Sequence, residues 1–172
     1  MRRRMILMLM AMAAMVVLAS GVALAANIQC VVGTTCLGTS NNDTITGTAQ
    51  GDDIRSRAGD DTVYGQDGGD SIHGNGGVDH LYGEGGSDVV QGEAGHDVLN
   101  GGVGSDDFHG GSGPDTLIAD FADGAITPER VVGGPGNDTI LAADYSPDNI
   151  DCGDGRDQVY WDDFDQVVNC EF

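Results

Sequence analysis

The chain contains no lysine. All seven basic residues are arginines, three of them at the N-terminus (Arg2, Arg3 and Arg4), against 28 Asp and Glu. A formal charge of −21 argues against nucleic-acid and anionic-membrane partners, which require basic patches, and favours cations. Aromatic residues make up only 5% and there is one Trp, so a conventional hydrophobic core is hard to build. No Cys-x-x-Cys pair exists, so neither a zinc knuckle nor a redox pair is indicated. H-E-x-x-H, G-x-S-x-G and phosphate-loop motifs are also missing. Glycine is abundant instead, at 29 of 172 residues, more than twice its usual share. The length allows one domain, or one domain plus tails.

The N-terminus reads as a signal peptide over residues 1–25. Arg2–Arg4 form a positive region, Met5–Ala19 is an apolar run of 15 residues, and Ala23-Leu24-Ala25 is an A-x-A cleavage signal. The competing reading is an uncleaved anchor over Met5–Ala26. Residue 26 is Ala and not Cys, so nothing suggests a lipoprotein. Cleavage after Ala25 leaves four arginines against 28 acids, a formal charge of −24. The expected location is secreted, extracellular or at the cell surface, with no membrane association after cleavage. Four cysteines remain, an even count that reads as disulfides in a secreted chain. Of the three connectivities, chain proximity favours Cys30–Cys36 and Cys152–Cys170.

From Gly38 to Ile118 the sequence divides into nine blocks of nine without a gap, among them GQDGGDSIH, GEGGSDVVQ, GGVGSDDFH and GGSGPDTLI. The sixth place is Asp in all nine blocks: Asp43, Asp52, Asp61, Asp70, Asp79, Asp88, Asp97, Asp106 and Asp115. The eighth is large and apolar in all nine: Ile45, Ile54, Val63, Ile72, Leu81, Val90, Leu99, Phe108 and Leu117. The first is Gly in all but Ser56, and the fourth is Gly in the last seven. Acidic disorder would supply Gly and Asp without register. One apolar residue per nine cannot be a helix face. It suits a six-residue turn followed by a three-residue strand whose middle residue points inward. Two repeats then make a coil of 18 residues, and stacked coils form two parallel sheets.

Aspartates 18 apart fall on one edge of such a stack. One edge carries Asp43, Asp61, Asp79, Asp97 and Asp115, and the other Asp52, Asp70, Asp88 and Asp106. Stacked like charges repel, and a divalent ion between them reverses the sign. Calcium accepts six to eight oxygens, carbonyls as well as carboxylates, and glycine lets carbonyls converge. The competing use of these Asp is turn formation through nearby amides, which does not account for one place being Asp in every block.

GGVGSDDFH and GGSGPDTLI match G-G-x-G-x-D-x-U-x, and the repeat resembles the RTX (haemolysin-type) calcium-binding nonapeptide, in a form similar to small secreted bacterial proteins. The resemblance implies an all-β, right-handed parallel β-roll with several Ca²⁺ ions between adjacent turns. It implies side-chain ligands from the nine sixth-place Asp, joined by Asp138 of the detached repeat GGPGNDTIL. It also implies carbonyl ligands from turns such as Gly65-Gln66-Asp67-Gly68 and Gly83-Glu84-Gly85-Gly86. The fourth place is Asn41 and Gln50 in the first two blocks, so the early sites are expected to be weak or empty. Larger members leave the cell by a C-terminal signal; this chain has a leader, so that route is not carried over.

The expected organisation is a signal peptide (1–25), an N-terminal cap with Cys30 and Cys36 (26–37), a nine-repeat roll (38–118), an inserted loop (119–132), further repeats with a break (133–160) and a C-terminal cap (161–172). His73, His80, His96 and His109 all lie inside the repeats and read as outward, solvated residues. Tyr64 and Tyr82, 18 apart, read as a packing pair across rungs. No catalytic residue is assigned, and no enzyme activity is expected. The expected function is a secreted calcium-binding roll that folds on binding calcium. The alternatives are a calcium-stiffened adhesin or matrix spacer with an unidentified surface partner and, behind it, a hydrolase or toxin fragment.

Overall fold

The computed structural model describes residues 25–119 and 127–171. The leader expected over 1–25 lies, apart from Ala25, outside the described residues, as does most of the inserted loop.

Among the described residues there is no helix, and every paired strand is parallel to its neighbours. The chain winds into a β-solenoid of about eight turns. One sheet has eight strands, and the other has eight in its main path with the short Gly76–Gly77 pair beside it. Each nine-residue repeat contributes one strand, and consecutive repeats alternate between sheets.

Inward side chains run up each sheet in register. In one, Ile28, Ile45, Val63, Leu81, Leu99, Leu117, Ile140 and Val159 are partners in succession. In the other the succession is Cys36, Ile54, Ile72, Val90, Phe108, Val131, Ile150 and Val167. Those from Ile45 to Ile140 and from Ile54 to Val131 are fully buried. The core is therefore two facing columns about one side chain wide. The outward ninth-place Tyr64 and Tyr82 stack with ring centroids 5.3 Å apart.

The register survives the breaks in the repeat. Partner spacing is 18 through the regular region, becomes 23 at Asp107↔Arg130 and Thr116↔Thr139, then 19 at Arg130↔Asn149 and Thr139↔Gln158, and 17 at Asn149↔Gln166. Extra residues are taken up in turns while the strands stay in line. Thus Arg130–Val132, the C-terminal end of the stretch read as an inserted loop, form rung positions of the strand Arg130–Pro135, because Val131 supplies the inward side chain. The tail likewise adds a rung at Gln166–Val168.

Cys30 is bridged to Cys36 and Cys152 to Cys170, with Cα–Cα distances of 5.3 and 5.1 Å. Cys30 and Cys152 occupy first places of their turns, and Cys36 takes an inward position at the base of its sheet. The disulfides therefore close the two ends. Among the described residues no helix is long and apolar enough to cross a membrane.

Interlocked columns cannot collapse sideways, because backbone hydrogen bonds fix the rung spacing. Leu99→Ala, between Leu81 and Leu117, should cost about 2–5 kcal/mol in denaturant unfolding of the folded form. A loss below about 1 kcal/mol would mean that the column repacks.

Candidate metal centres

Beyond the first strand of each sheet, every rung is entered through a turn that ends on an acidic residue. In the sheet that begins at Ile28 these are Asp43, Asp61, Asp79, Asp97, Asp115, Asp138 and Asp157; in the other they are Asp52, Asp70, Asp88, Asp106, Glu129, Asp148 and Asp165. All ten residues expected from the sequence fall in these two columns, and all are buried, at most 6% exposed. The four other column members went unassigned in the sequence reading. The signal for them was present: an acid two places before an inward apolar residue, in Glu129-Arg130-Val131, Asp148-Asn149-Ile150, Asp157-Gln158-Val159 and Asp165-Gln166-Val167.

A column of buried acids needs hydrogen bonds, and half of them are supplied by the fold. From Asp61 and Asp70 upward, one oxygen of each aspartate accepts the backbone N–H of the acid one coil earlier; Glu129 is the exception. Asp61 N–H donates to Asp79 Oδ1 at 2.8 Å, Asp79 N–H to Asp97 Oδ1 at 2.9 Å, and Asp70 N–H to Asp88 Oδ1 at 2.7 Å. The same bond runs through to Asp115→Asp138 and Asp138→Asp157.

The second oxygen divides the turns into two kinds. In the first two, Thr39 N–H donates to Asp43 Oδ2 at 2.6 Å and Thr48 N–H to Asp52 Oδ2 at 2.7 Å. Both Oδ2 atoms are thereby satisfied. From Asp61 onward, Oδ2 of Asp61, Asp70, Asp79, Asp88, Asp97, Asp115, Asp138 and Asp157 is buried with no hydrogen-bond partner. A buried carboxylate oxygen with no donor is costly. It calls for a proton or a cation.

The sequence accounts for this division. In later turns the second place has positive φ: Arg57, Gln66, Asn75, Glu84 and Glu93 at 68–85°, then Gly102 and Gly111. Thr39 and Thr48 are β-branched and resist that region, so the first two turns keep their amides on the aspartate. The fourth place changes from Asn41 and Gln50 to Gly at the same point. First-place glycine has its own reason: a Cβ on Gly74 or Gly110 would sit 2.6 or 2.8 Å from Oδ2 of Asp79 or Asp115. Fourth-place glycines stack so that the Gly68 carbonyl oxygen would overlap a Cβ on Gly86. The cradle thus combines a carboxylate oxygen without a donor, closely stacked carbonyls and no side-chain cation. That donor set suits a hard divalent ion.

Arg55 and Arg130 do not enter it. Arg55 pairs with Asp53 at 3.1 Å, and Arg130 with Asp107 at 2.8 Å, both on the outer surface. His73 and His109 are also outward, each 3.1 Å from a surface acid, Glu93 and Asp107 respectively.

A model of the RTX calcium-binding nonapeptide repeat matches in four copies, over residues 37–72, 57–90, 82–117 and 123–159, more than half of the chain. The chain belongs to the RTX calcium-binding repeat family. It is a calcium-binding β-roll protein. No curated protein and no solved structure matches it.

In this RTX roll, burial pushes the carboxyls of Asp79 and Asp115 up to about 7 and those of Asp70, Asp88 and Asp138 to about 6; neighbouring carboxylates add to the rise, and the donated N–H bonds oppose it. Asp61 and Asp97 shift the same way for the same first cause. These acids hold protons more tightly folded than unfolded. The metal-free roll therefore gains stability as pH falls from about 7 toward 4, and loses it as pH rises through 6–7. In EDTA, the β signal followed by circular dichroism should rise between pH 8 and pH 5. With calcium in excess the rise should vanish or reverse, because protons then compete with ions. A β signal in EDTA that falls steadily on acidification would contradict the buried-carboxylate account.

Proposed function

We propose that the chain is a secreted, non-catalytic protein whose folding is driven by several Ca²⁺ ions held between adjacent coils. The observation that carries this is the row of buried aspartate oxygens with no hydrogen-bond partner from Asp61 onward. Asp61, Asp70, Asp79, Asp88, Asp97, Asp106, Asp115 and Asp138 are assigned as side-chain ligands, with turn carbonyls completing each shell. Asp43, which accepts the amides of Ala26 and Thr39, and Asp52, which accepts that of Thr48, take the weakest places. Calcium binding to the folded roll and not to the open chain supplies the stabilisation that the narrow core lacks.

Secretion is supported by the leader-like Met5–Ala19 and Ala23-Leu24-Ala25 and by two disulfides, which persist in oxidising compartments. Cleavage after Ala25 has a structural consequence. The Ala26 nitrogen lies 2.8 Å from Asp43 Oδ1, so the new α-ammonium would cap the first aspartate column with a charge-assisted bond. N-terminal sequencing of the exported protein should begin at Ala26. An intact Met1 in a membrane fraction would favour the anchor.

The folding claim is tested on residues 26–172 with disulfides intact. In EDTA at neutral pH the far-UV spectrum should lack most of the β signal, and calcium should restore it with half-saturation at about 0.1–1 mM. Magnesium should substitute poorly, because it prefers a tighter octahedron and keeps its waters. A full β spectrum in EDTA, unaltered by calcium, rejects the mechanism. Asp79→Asn separates ligation from turn formation. It removes a buried charge, so it should raise the residual β signal in EDTA and lower the gain on adding calcium. Equal effects in both conditions would leave Asp79 as a turn residue.

A further inference from the structure

The turn from Ala142 to Asp148 breaks the repeat pattern. It is seven residues long and contains no glycine, so it cannot build the glycine cradle found lower in the same column. It brings carboxylates together instead. Ligand atoms of Glu129, Asp144 and Asp148 all lie within 4.8 Å of one another. Glu129 and Asp148 are each 1% exposed, whereas Asp144 lies at the rim.

The hydrogen bonds around this cluster position it without satisfying it. Glu129 N–H donates to Asp148 Oδ1 at 3.0 Å, and Ser146 N–H to Asp144 Oδ1 at 2.8 Å. Ser146 Oγ–H donates to the Thr127 carbonyl at 2.6 Å, which ties the turn to the segment that delivers Glu129. Both Glu129 carboxylate oxygens, Asp148 Oδ2 and the Thr127 hydroxyl oxygen are nevertheless buried with no hydrogen-bond partner. Arg130, the adjacent cation, faces away to Asp107 and His109. A buried glutamate with two unpartnered oxygens, beside two more carboxylates and no basic side chain, is a coordination shell in its donor chemistry.

We propose that Glu129, Asp144 and Asp148 form a divalent-cation site of a second kind, built from side-chain carboxylates and not from glycine-turn carbonyls. It holds Ca²⁺ more tightly than the repeat cradles do. Affinity for calcium rises with ligand charge and site rigidity. Three carboxylates, of which Glu129 and Asp148 are buried and Asp144 and Asp148 are held by backbone N–H groups, exceed the repeat's one aspartate per turn on both counts. The ion would tie the coil of Arg130–Pro135 to the coil of Asn149–Asp154, where the regular spacing is lost. It is the first ion to bind and the one that secures the C-terminal coils.

The inference rests on the chain being a calcium binder but not on the repeat cradles being occupied. Calorimetric titration of residues 26–172 with calcium should resolve one tight step, at about micromolar concentration, before the roll sites. Glu129→Gln, which preserves shape, should abolish that step and leave the later ones. Asp144→Asn at the accessible rim, where folding is little affected, should weaken it about tenfold or more, and Asp79→Asn should leave it intact. A tight step unchanged in both Glu129→Gln and Asp144→Asn, or its absence from the wild type, overturns the site. If the tight step is present but the later ones are missing, this site stands and the cradles fall. If the later ones are present alone, the reverse holds. Should Glu129→Gln fail to fold in saturating calcium, Asp144→Asn decides alone.

Discussion

The structure depends on burying carboxylates that the fold satisfies only by half. Each repeat places an aspartate at the entrance to its strand, and the preceding coil supplies one N–H to one of its oxygens. That bond makes the acid part of the stacking of coils. After the first two turns the other oxygen, as in Asp70, Asp79 and Asp88, lies against a first-place glycine and has no donor. In water a carboxylate is cheap; in this position it requires a positive partner. Glycine at the first and fourth places, the left-handed second place and the scarcity of basic side chains all follow from keeping that oxygen reachable by an ion and by little else.

Much of the fold was legible because the repeat is strict. Two positions in nine, the Asp and the inward aliphatic, are sufficient to specify turn, strand and pairing register, and Ile45↔Val63↔Leu81 follows directly from the period of 18. What was not legible lies where the period fails. Glu129 and Asp148 hold sixth-place positions although their spacings from Asp106 are irregular, because register is kept by hydrogen bonds between strands and not by chain length. A reading fixed on nines counts Arg130–Val132 with a loop, whereas a reading fixed on acid-x-apolar triplets counts them as a rung. The difference between the early and later turns was visible only as Asn41 and Gln50. Its physical content is that amides of Thr39 and Thr48 occupy the oxygen that later turns leave open, a matter of backbone conformation that residue identity alone does not specify.

A solenoid of this kind is a one-dimensional system: each coil contacts its two neighbours, and stability is a sum of coil and interface contributions. This explains why a spacing of 23 is tolerated. Lengthening a turn alters one coil's own entropy, which grows slowly with loop length, and leaves the interfaces above and below intact. A site placed at the point of lengthening is then well situated to offset that cost locally, which is what a cluster of side-chain carboxylates from the altered turn and the preceding coil would do on binding an ion.

The ends of the columns complete the logic. At the base, Asp43 and Asp52 have their Oδ2 atoms satisfied by threonine amides. At the top of the second column, Asp165 accepts Asp148 N–H on one oxygen at 3.0 Å and Asp162 N–H on the other at 2.9 Å. Three of the four column ends therefore carry acids that need no ion, and the demand for cations is concentrated between them; Asp157, the fourth, keeps an open oxygen. Each end also carries a disulfide. An end coil lacks one neighbour, so an ion there would be held from one side only and lost most readily. Amide bonds and a covalent bridge replace it where stacking is weakest. On this view the N-terminal coils keep their shape without calcium, and the C-terminal coils keep theirs until the tightly held ion of Glu129, Asp144 and Asp148 is lost. They then offer a preformed edge on which the metal-dependent coils assemble, so that loss of the ions opens the middle of the solenoid before its ends.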